Sequence, residues 1–283
     1  MQTSHLEKGS RIDLSNKSNG NKHIKSLSDM SVKEVADALS KDPAEDLLKA
    51  CADDEREGIR RLLERHCKHQ QAQAFEQARI QGLLQEEKML WEQGFLLVAG
   101  VDEAGRGPLA GPVAAGACIL PAQFDLPGLN DSKKLTEGKR EKLFGQIQNQ
   151  ALAFAIGSAE PAEIDLYNIL QASKLAMKRA VEGLKIRPHH LLIDAVSLPL
   201  VNIPQKAIIR GDALSASIAA ASILAKVTRD HWMRDLHTLY PEYGFDKNKG
   251  YGTNEHLQVL RRLGPSPIHR RSFAPVGREV AEN

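Results

Sequence analysis

The chain has 283 residues, of which 42% are hydrophobic and 26% charged, a balance that excludes a wholly disordered protein. Its 38 basic and 36 acidic side chains leave a formal net charge of +2, so contacts with nucleic acid must come from local basic patches. The three cysteines form no CxxC pair, which argues against a disulfide scaffold or a thiolate zinc site and favours the reduced cytoplasm.

The first 30 residues predict a flexible tail. They carry charged side chains among Ser and Asn and hold no apolar run of the length that an export signal needs. No later segment is long, apolar and unbroken enough to predict a membrane span. We therefore expect a cytoplasmic protein that makes no membrane contact.

Residues 31–94 predict a small accessory module of short helices. Ser31 followed by Glu34 predicts a capping box at the start of the first helix. Asp42 predicts the cap of a second helix, with Pro43 as its first helical residue. Apolar residues at helical spacing predict a third short helix and a longer amphipathic one: Ile59, Leu62, Leu63, Ile80, Leu83, Leu84, Leu90 and Trp91.

From residue 95 the pattern changes to short apolar runs separated by helical segments, which predicts an α/β layer architecture. Predicted helices begin at Asn168, at Ala213 and after Thr253, and the second of them continues to about Leu239. The element order is β-β-β-α-β-β-α-α. The five predicted strands are residues 95–101, 113–120, 153–159, 190–193 and 207–209.

Acidic side chains follow three of the predicted strands. Asp102 and Glu103 come directly after the first strand, Asp194 follows the fourth, and Asp212 opens the long helix after the fifth. Active sites in open α/β sheets form beyond the carboxyl ends of the strands, so we expect these carboxylates to converge. Oxygen ligands without His or Cys companions favour Mg²⁺ or Mn²⁺.

Two structural alternatives bear on these acids. Taken alone, Asp212 could simply be the N-cap of the long helix. Adjacent strand residues point to opposite faces, so Glu103 can join Asp102 only if the strand ends or bulges there.

Gly105, Arg106 and Gly107 form a glycine-rich turn directly after these acids. Their spacing and the prolines that follow exclude a dinucleotide-binding fingerprint. Glycines permit close approach of the backbone to a ligand, so this turn predicts main-chain contacts with a sugar or a phosphate.

Two further segments predict contacts with a nucleic acid. Ser132, Lys133 and Lys134 belong to a polar, cationic loop suited to a phosphodiester backbone. Lys249 precedes Tyr251, an aromatic residue between two glycines that could stack on a sugar or a base.

Together, these motifs resemble those of the ribonuclease HII family. The resemblance covers residues 95–283 in the family's motif order, whereas residues 1–94 lie outside the shared core. The matching segments are 102–113 (DEAGRGPLAGPV), 131–134 (DSKK), Asp194, 211–212 (GD), 217–226 (SIAAASILAK) and 249–253 (KGYGT).

The resemblance implies a ribonuclease H-like five-stranded mixed sheet flanked by helices, preceded by the all-α N-terminal extension. It also implies endonucleolytic hydrolysis of the RNA strand in RNA–DNA hybrids and incision at ribonucleotides embedded in duplex DNA. With water as the nucleophile, the products would carry 5′-phosphate and 3′-hydroxyl ends. We expect a monomer, and the sequence names no protein partner for the extension.

Site residues carry over by motif. Asp102, Glu103, Asp194 and Asp212 match the family's metal-binding acids, and we expect Asp102 to be shared between two divalent ions. The turn at residues 105–107 matches the loop that senses the 2′-hydroxyl. Tyr251 matches the aromatic residue that stacks on the sugar at the RNA-to-DNA junction.

Two functions of other classes stay open on the residues alone. One is a nucleic-acid-binding module that keeps the sheet but does no chemistry. The other is an adaptor defined by its N-terminal helices. In addition, the basic turn at residues 266–271 could contact the DNA backbone or be an ordinary surface loop.

Overall fold

The computed structural model describes residues 26–41 and 43–279, and the chain divides into two compact units between Gln77 and Ala78. The first unit contains α1 (Val32–Leu39), α2 (Glu45–Ala52) and the first part of α3 (Glu57–Leu83). The backbone N–H of Glu34 donates to the Ser31 hydroxyl, and the Glu34 carboxylate accepts from the backbone N–H of Ser31, which confirms the predicted capping box. The buried core of this unit is Leu27, Met30, Val35, Leu39, Leu47, Cys51 and Ile59.

The described part of the N-terminal region differs from the prediction at its beginning. Leu27 and Met30 are buried in the core of the first unit, so a tail that extends to residue 30 is too long. These two apolar side chains, together with the hydrogen bonds that Arg56 donates to the Leu27 and Met30 carbonyl oxygens, fix the segment. Residues 1–25, the rest of the predicted tail, lie outside the described residues.

The helices of this region also differ from the prediction. α2 begins at Glu45 with Ala44 as its N-cap, so Pro43 is not the first helical residue, and the predicted cap Asp42 lies outside the described residues. α3 is one helix of 27 residues, where a short helix and the beginning of a longer amphipathic one were predicted. It continues because its polar middle contains no proline and is rich in Gln, Ala, Glu and Arg, which favour helix.

The second unit begins before the predicted boundary at residue 95, because the end of α3 and α4 (Gln85–Glu92) pack with the sheet unit. Leu83 and Leu84 belong to an apolar cluster that includes residues of the long helix near the C-terminal side of the chain. Glu87 is buried, and its Oε1 accepts from the Ser215 hydroxyl at 2.6 Å and from the backbone N of Ser217 at 2.9 Å. Burial raises the pKa of Glu87, although these hydrogen bonds oppose the rise.

The second unit is built on a five-stranded sheet with the order β3-β2-β1-β4-β5. β1 pairs antiparallel with β2, and β2 with β3, whereas β1 pairs parallel with β4, and β4 with β5. This is the mixed sheet that the sequence predicts. The strands are β1 (Val98–Ala104), β2 (Val113–Ile119), β3 (Ala153–Ala159), β4 (His190–Asp194) and β5 (Gln205–Ile208).

Helices cover the sheet, and α7 packs closely against it. A Cβ added at Gly100 on β1 would lie 2.0 Å from the carbonyl carbon of Ser217 on α7, so only glycine allows this approach. No helix within the described residues is long and apolar enough to cross a lipid bilayer. The helices after the first strand are α5 (Glu137–Gln150), α6 (Pro161–Glu182), α7 (Ala216–Leu239), α8 (Phe245–Asn248), α9 (Asn254–Leu263) and α10 (Val276–Glu279).

Two helices depart from the predicted order. α5 was not predicted, and it lies between β2 and β3 with only Leu143 and Ile147 buried. α6 begins at Pro161, earlier than predicted, and is interrupted at Asn168, whose φ is 68°. Asn168 nevertheless caps the part that follows, because its Oδ1 accepts from the backbone N–H groups of Leu170 and Gln171.

Two corrections concern the acids. β1 continues through Asp102 and Glu103 in regular register with β2, so the strand neither ends nor bulges between them. The expectation that Glu103 joins Asp102 only at a strand end or a bulge is therefore wrong, because, in addition to burial, Glu103 still raises the pKa of Asp102 and Asp194 raises that of Glu103. Asp212 lies in a short 3₁₀ turn, Gly211–Ala213, and the N-cap of α7 is Ser215. Asp212 therefore neither opens nor caps the long helix.

Candidate active site

The sheet brings the predicted acids together at the carboxyl ends of β1 and β4, a place that we call the acidic edge. Asp102 lies near the end of β1 and Asp194 at the end of β4, and these two strands are parallel neighbours. The backbone N–H of Gly211 donates to Oδ1 of Asp194 at 2.7 Å, which ties the turn that carries Asp212 to the same edge. Asp102 and Asp212 are both buried, whereas Asp194 is half-buried.

The carboxylates are close enough to change one another's protonation. Burial raises the pKa of Asp102 well above its usual value, and the charges of Glu103 and Asp194 raise it further. Burial likewise raises the pKa of Glu103; Arg106, with Nη1 3.1 Å from Oε1, opposes this, and Asp194 reinforces it. Like charges held together without compensation favour protonated forms, so the edge is a site that would gain from a cation.

Asp131, which was predicted only as part of the 131–134 motif, acts on Asp212. Burial raises the pKa of Asp212, and the charges of Asp131 and Asp194 add to the rise. Lys133 opposes it. Burial lowers the pKa of Lys133, but Asp102, Asp212 and other nearby carboxylates raise it above its usual value overall. Lys133, which was predicted to contact a phosphate, therefore lies close to the acidic side chains.

A pair of hydroxyl groups, those of Ser222 and Ser132, lies next to Asp102. Ser222 on α7 donates a hydrogen bond to the Asp102 carboxylate, and its Oγ lies 2.9 Å from Oγ of Ser132. Ser132 was predicted to contact substrate, but the structure buries it next to Ser222. Lys134, its neighbour in the predicted cationic loop, is exposed.

The donor set of this edge is chemically suited to a hard divalent cation, since it consists of carboxylate oxygens without His or Cys. Within residues 26–41 and 43–279, no three His, Cys, Asp or Glu side chains are already arranged around one metal position. Instead, Oδ1 of Asp102 accepts from the backbone N–H of Glu103 at 2.7 Å, and Asp194 accepts from Gly211. The residues fit such an ion by chemistry and charge.

The glycine-rich turn is fixed by a buried arginine. Arg270, which is 0% exposed, donates to the carbonyl oxygen of Gly105 at 2.6 Å, of Arg106 at 2.9 Å and of Gly111 at 3.0 Å. Burial, followed by the charge of Arg229, lowers the pKa of Arg270 to about 9. The basic turn at 266–271 is thus neither a simple surface loop nor, at Arg270, a DNA contact.

A second buried arginine joins this turn to the segment that carries Tyr251. Arg229 on α7 is 1% exposed and donates to the carbonyl oxygens of Pro112 at 2.9 Å, Ala110 at 3.1 Å and Lys249 at 3.0 Å. Burial lowers its pKa to about 10. Gly105 has a φ of +94°, and an added Cβ would lie 1.9 Å from Nε of Arg229. Sequence patterns gave no signal for either arginine, because arginine is almost never fully buried.

Tyr251 lies beside the glycine-rich turn. Its side chain is 46% exposed, and its Cε1 is 3.5 Å from where a Cβ on Gly107 would be. The backbone N–H of Leu109 donates to the Gly250 carbonyl at 2.8 Å, which holds the two segments together. The Lys249 amine bonds to the Asp246 carbonyl, and burial and then Arg234 lower the pKa of Lys249.

A family model described as Ribonuclease HII matches residues 99–276, and one described as Ribonuclease HII N-terminal domain matches residues 31–91. A ribonuclease HII of Desulfitobacterium hafniense (strain Y51) is 68% identical over 257 residues, which cover 91% of this chain and 99% of that relative. A ribonuclease HII of Myxococcus xanthus (strain DK1622) is 55% identical over 231 residues, covering 81% of this chain and 79% of the relative.

Among solved structures, this chain is similar to the ribonuclease H2 from Pyrococcus horikoshii OT3. The TM-score is 0.55 at 31% sequence identity, and the match covers 65% of this chain and 97% of that one.

Proposed function

Since this chain belongs to the ribonuclease HII family, we propose that it incises duplex DNA at embedded ribonucleotides and cuts the RNA strand of RNA–DNA hybrids with the help of divalent ions. That it is a ribonuclease H-type nuclease follows from the family itself. The observation that carries the finer proposal is the meeting of Asp102, Glu103, Asp194 and Asp212 at one sheet edge, beside the turn fixed by Arg270.

Mg²⁺ or Mn²⁺ would be held by these four carboxylates, with Asp102 as the shared ligand because both Glu103 and Asp194 act on its charge. Once bound, such ions polarise the phosphate, lower the pKa of a water and stabilise the leaving oxygen. The chain's own part is to orient Asp102 through the Ser222 hydroxyl and to hold Glu103 through Arg106. Lys133 supplies positive charge to the same edge.

The expected product ends follow from the nucleophile and the leaving group. Attack by water on phosphorus, with the 3′-oxygen as the leaving group, gives a 5′-phosphate on one fragment and a 3′-hydroxyl on the other. Attack by the neighbouring 2′-oxygen would instead give a cyclic phosphate.

Discrimination of RNA from DNA belongs to the turn at residues 105–107 in this proposal. The 2′-hydroxyl is the group that distinguishes the two sugars locally, and a main chain free of Cβ atoms can come within hydrogen-bond distance of it. Arg270 holds the carbonyl groups of Gly105 and Arg106 in place before substrate arrives. Tyr251, next to Gly107, would stack on the adjoining deoxyribose and so favour an RNA-to-DNA junction.

One assay tests incision at an embedded ribonucleotide, the need for a divalent ion and the product ends. A duplex with one ribonucleotide and a 5′ label is incubated with Mg²⁺, with Mn²⁺ or with EDTA, and the product ends are mapped. We expect cleavage next to the ribonucleotide only with a divalent ion, leaving 5′-phosphate and 3′-hydroxyl ends. Binding without cleavage under all conditions would favour the nucleic-acid-binding module, and 2′,3′-cyclic ends would exclude water as the nucleophile.

A further inference from the structure

Two histidines are buried beneath the Tyr251 turn, away from the acidic edge. His256 on α9 is 0% exposed and His269 is 2% exposed, and their Nε2 atoms lie 3.0 Å apart. Tyr243 and Phe245 surround them, with ring centroids 4.9 to 6.2 Å from the two imidazoles. These rings exclude water, so the hydrogen bonds between the imidazoles determine where their protons reside.

The hydrogen bonds at the two Nδ1 atoms determine which nitrogen of each imidazole carries a proton. The Tyr251 carbonyl can only accept, so His256 Nδ1, 2.8 Å away, must carry a proton and donate it. The backbone N–H of Ser266 donates to His269 Nδ1 at 3.0 Å, so that nitrogen must be unprotonated. In neutral imidazoles, the proton of His269 is then on Nε2 and His256 Nε2 is the acceptor.

Both ends thus require the same arrangement, with one proton between the two Nε2 atoms. The hydrogen bonds run in one direction, from the Ser266 N–H through His269 and His256 to the Tyr251 carbonyl. Burial lowers the pKa of His256, and burial together with His256 lowers the pKa of His269 to about 4. Both imidazoles are therefore neutral at physiological pH.

This chain of bonds ends at the peptide group that follows Tyr251. The carbonyl of Tyr251 accepts a second hydrogen bond from the backbone N–H of Thr253 at 2.8 Å, which closes the turn. At its other end, His269 forms an isolated β-bridge with Ala110, within the loop held by Arg229 and Arg270. The histidine pair therefore connects the glycine-rich loop with the turn that presents the Tyr251 ring.

We propose that His256 and His269 are positioning residues that set the orientation of Tyr251, and through it the preference for an RNA-to-DNA junction. The proposal rests on the substrate role of Tyr251 proposed above. Neither histidine touches substrate or the acidic edge. Their effect is to hold the turn at Tyr251 in the one conformation in which its carbonyl accepts from both His256 and Thr253.

The protonation pattern is tested on the wild-type protein by long-range ¹H–¹⁵N NMR of the imidazoles at pH 7. We expect two neutral rings of opposite tautomer, with the proton on Nδ1 in His256 and on Nε2 in His269. The same tautomer in both rings, or a charged ring at this pH, would overturn the proposal whatever the enzyme cleaves.

The functional part compares two substitutions at one position. In His256→Asn the side-chain amide can still donate to the Tyr251 carbonyl, whereas His256→Leu keeps the bulk and loses the donor. On a junction duplex we expect His256→Leu to raise KM by about threefold to tenfold, because the Tyr251 ring loses part of its stacking contact. The value of kcat should stay within about twofold, and His256→Asn should recover most of the KM.

His189→Asn at an exposed histidine is the matched control, and Tyr251→Ala is measured in parallel. If Tyr251→Ala raises KM on the junction while His256→Leu, folded by circular dichroism, does not, the positioning role is wrong but the role of Tyr251 stands. If Tyr251→Ala has no effect, the role proposed for Tyr251 fails, and the NMR result then decides whether the histidine arrangement exists without it.

Discussion

Nη2 of Arg270, in the basic turn at residues 266–271, lies 2.6 Å from the carbonyl oxygen of Gly105. Gly105 belongs to the glycine-rich turn that directly follows the acids of β1. The same guanidinium holds two more carbonyl groups of residues 106–111. The shape of the glycine-rich turn therefore depends on a side chain that is 164 to 165 positions away in the sequence.

Arg270→Met should destabilise the protein and lower cleavage. A buried acceptor left without its donor costs about 1–3 kcal/mol, and three carbonyl groups lose theirs, so we expect the free energy of unfolding to fall by about 3 kcal/mol or more. Denaturation in urea measures the change. Arg271→Met is the matched control, because Arg271 is exposed, and should stay within about 0.5 kcal/mol of wild type. Equal effects of both substitutions would contradict the anchoring role of Arg270.

Asp102→Asn should abolish turnover while it leaves substrate binding intact. The substitution keeps the shape of the side chain but removes the charge of the shared ligand, so we expect kcat to fall about a thousandfold or more. Single-turnover cleavage with Mg²⁺ and a gel-shift measurement of affinity separate the two effects. Asp125→Asn at an exposed aspartate is the control. Cleavage retained by pure Asp102→Asn protein would remove Asp102 from the site.

The acidic edge should make stability depend on pH in the absence of divalent ions. Burial, then Glu103 and Asp194, raise the pKa of Asp102 above 3.8, so the folded chain binds more protons there than the unfolded chain. Its stabilising contribution is complete below the unfolded-state pKa and is lost as the pH rises through the raised value.

The measurement is the difference in unfolding free energy between Asp102→Asn and wild type in EDTA. We expect this difference to grow in favour of Asp102→Asn from pH 4 to pH 7, and Mg²⁺ or Mn²⁺ to reduce it by stabilising wild type alone, by about 2.7 kcal/mol at a hundred times Kd. A difference that stays constant with pH would show that the pKa of Asp102 is not raised in the folded chain.

Tyr251→Ala should reduce cleavage at a junction more than binding of a continuous hybrid. Loss of one stacking contact of about 1–3 kcal/mol corresponds to a decrease of about fivefold to 150-fold in kcat/KM. Tyr167 is exposed to a similar degree, 48% against 46%, so Tyr167→Ala is the control. Equal losses on all-RNA hybrids and on single-ribonucleotide duplexes would argue against stacking at the junction.

Two truncations should differ in stability. Removal of residues 1–77 leaves the second unit complete, whereas removal of residues 1–90 also deletes Leu83, Leu84 and Glu87. We expect the shorter deletion to fold and cleave with modestly weaker substrate affinity. The longer one should unfold at a lower temperature, because Ser215 and Ser217 lose their buried partner. Identical melting curves would contradict this assignment of α4 to the second unit.

The sequence predicted four of the five strands to within two residues at each end. The bounds of β3 agree with the prediction, and β4 and β5 differ by one or two residues at their ends. β1 was placed too early, because Asp102 and Glu103 look like the end of a strand, yet their backbones remain paired with β2. At such strand ends, a polar side chain does not mean that the backbone has stopped pairing with its neighbour.

Other features had no sequence signal of sufficient strength. α5 escaped prediction because only Leu143 and Ile147 are fully buried in it, too few to show periodicity among polar residues. The four acids were identified by position and by motif, and the structure places Asp102, Asp194 and Asp212 at one edge. The anchoring arginines depend on contacts across more than a hundred residues, which no local pattern encodes.

The absence of a side chain at Gly100 has a consequence for how loss-of-function variants would be interpreted. Gly100 and Asp102 lie on the same face of β1, where α7 brings Ser222 to the carboxylate. One extra methyl group at Gly100 would push α7 outward and separate that hydroxyl from Asp102. A mutational scan scored on turnover alone would therefore rank Gly100 with the reactive groups, although its only task is to leave room.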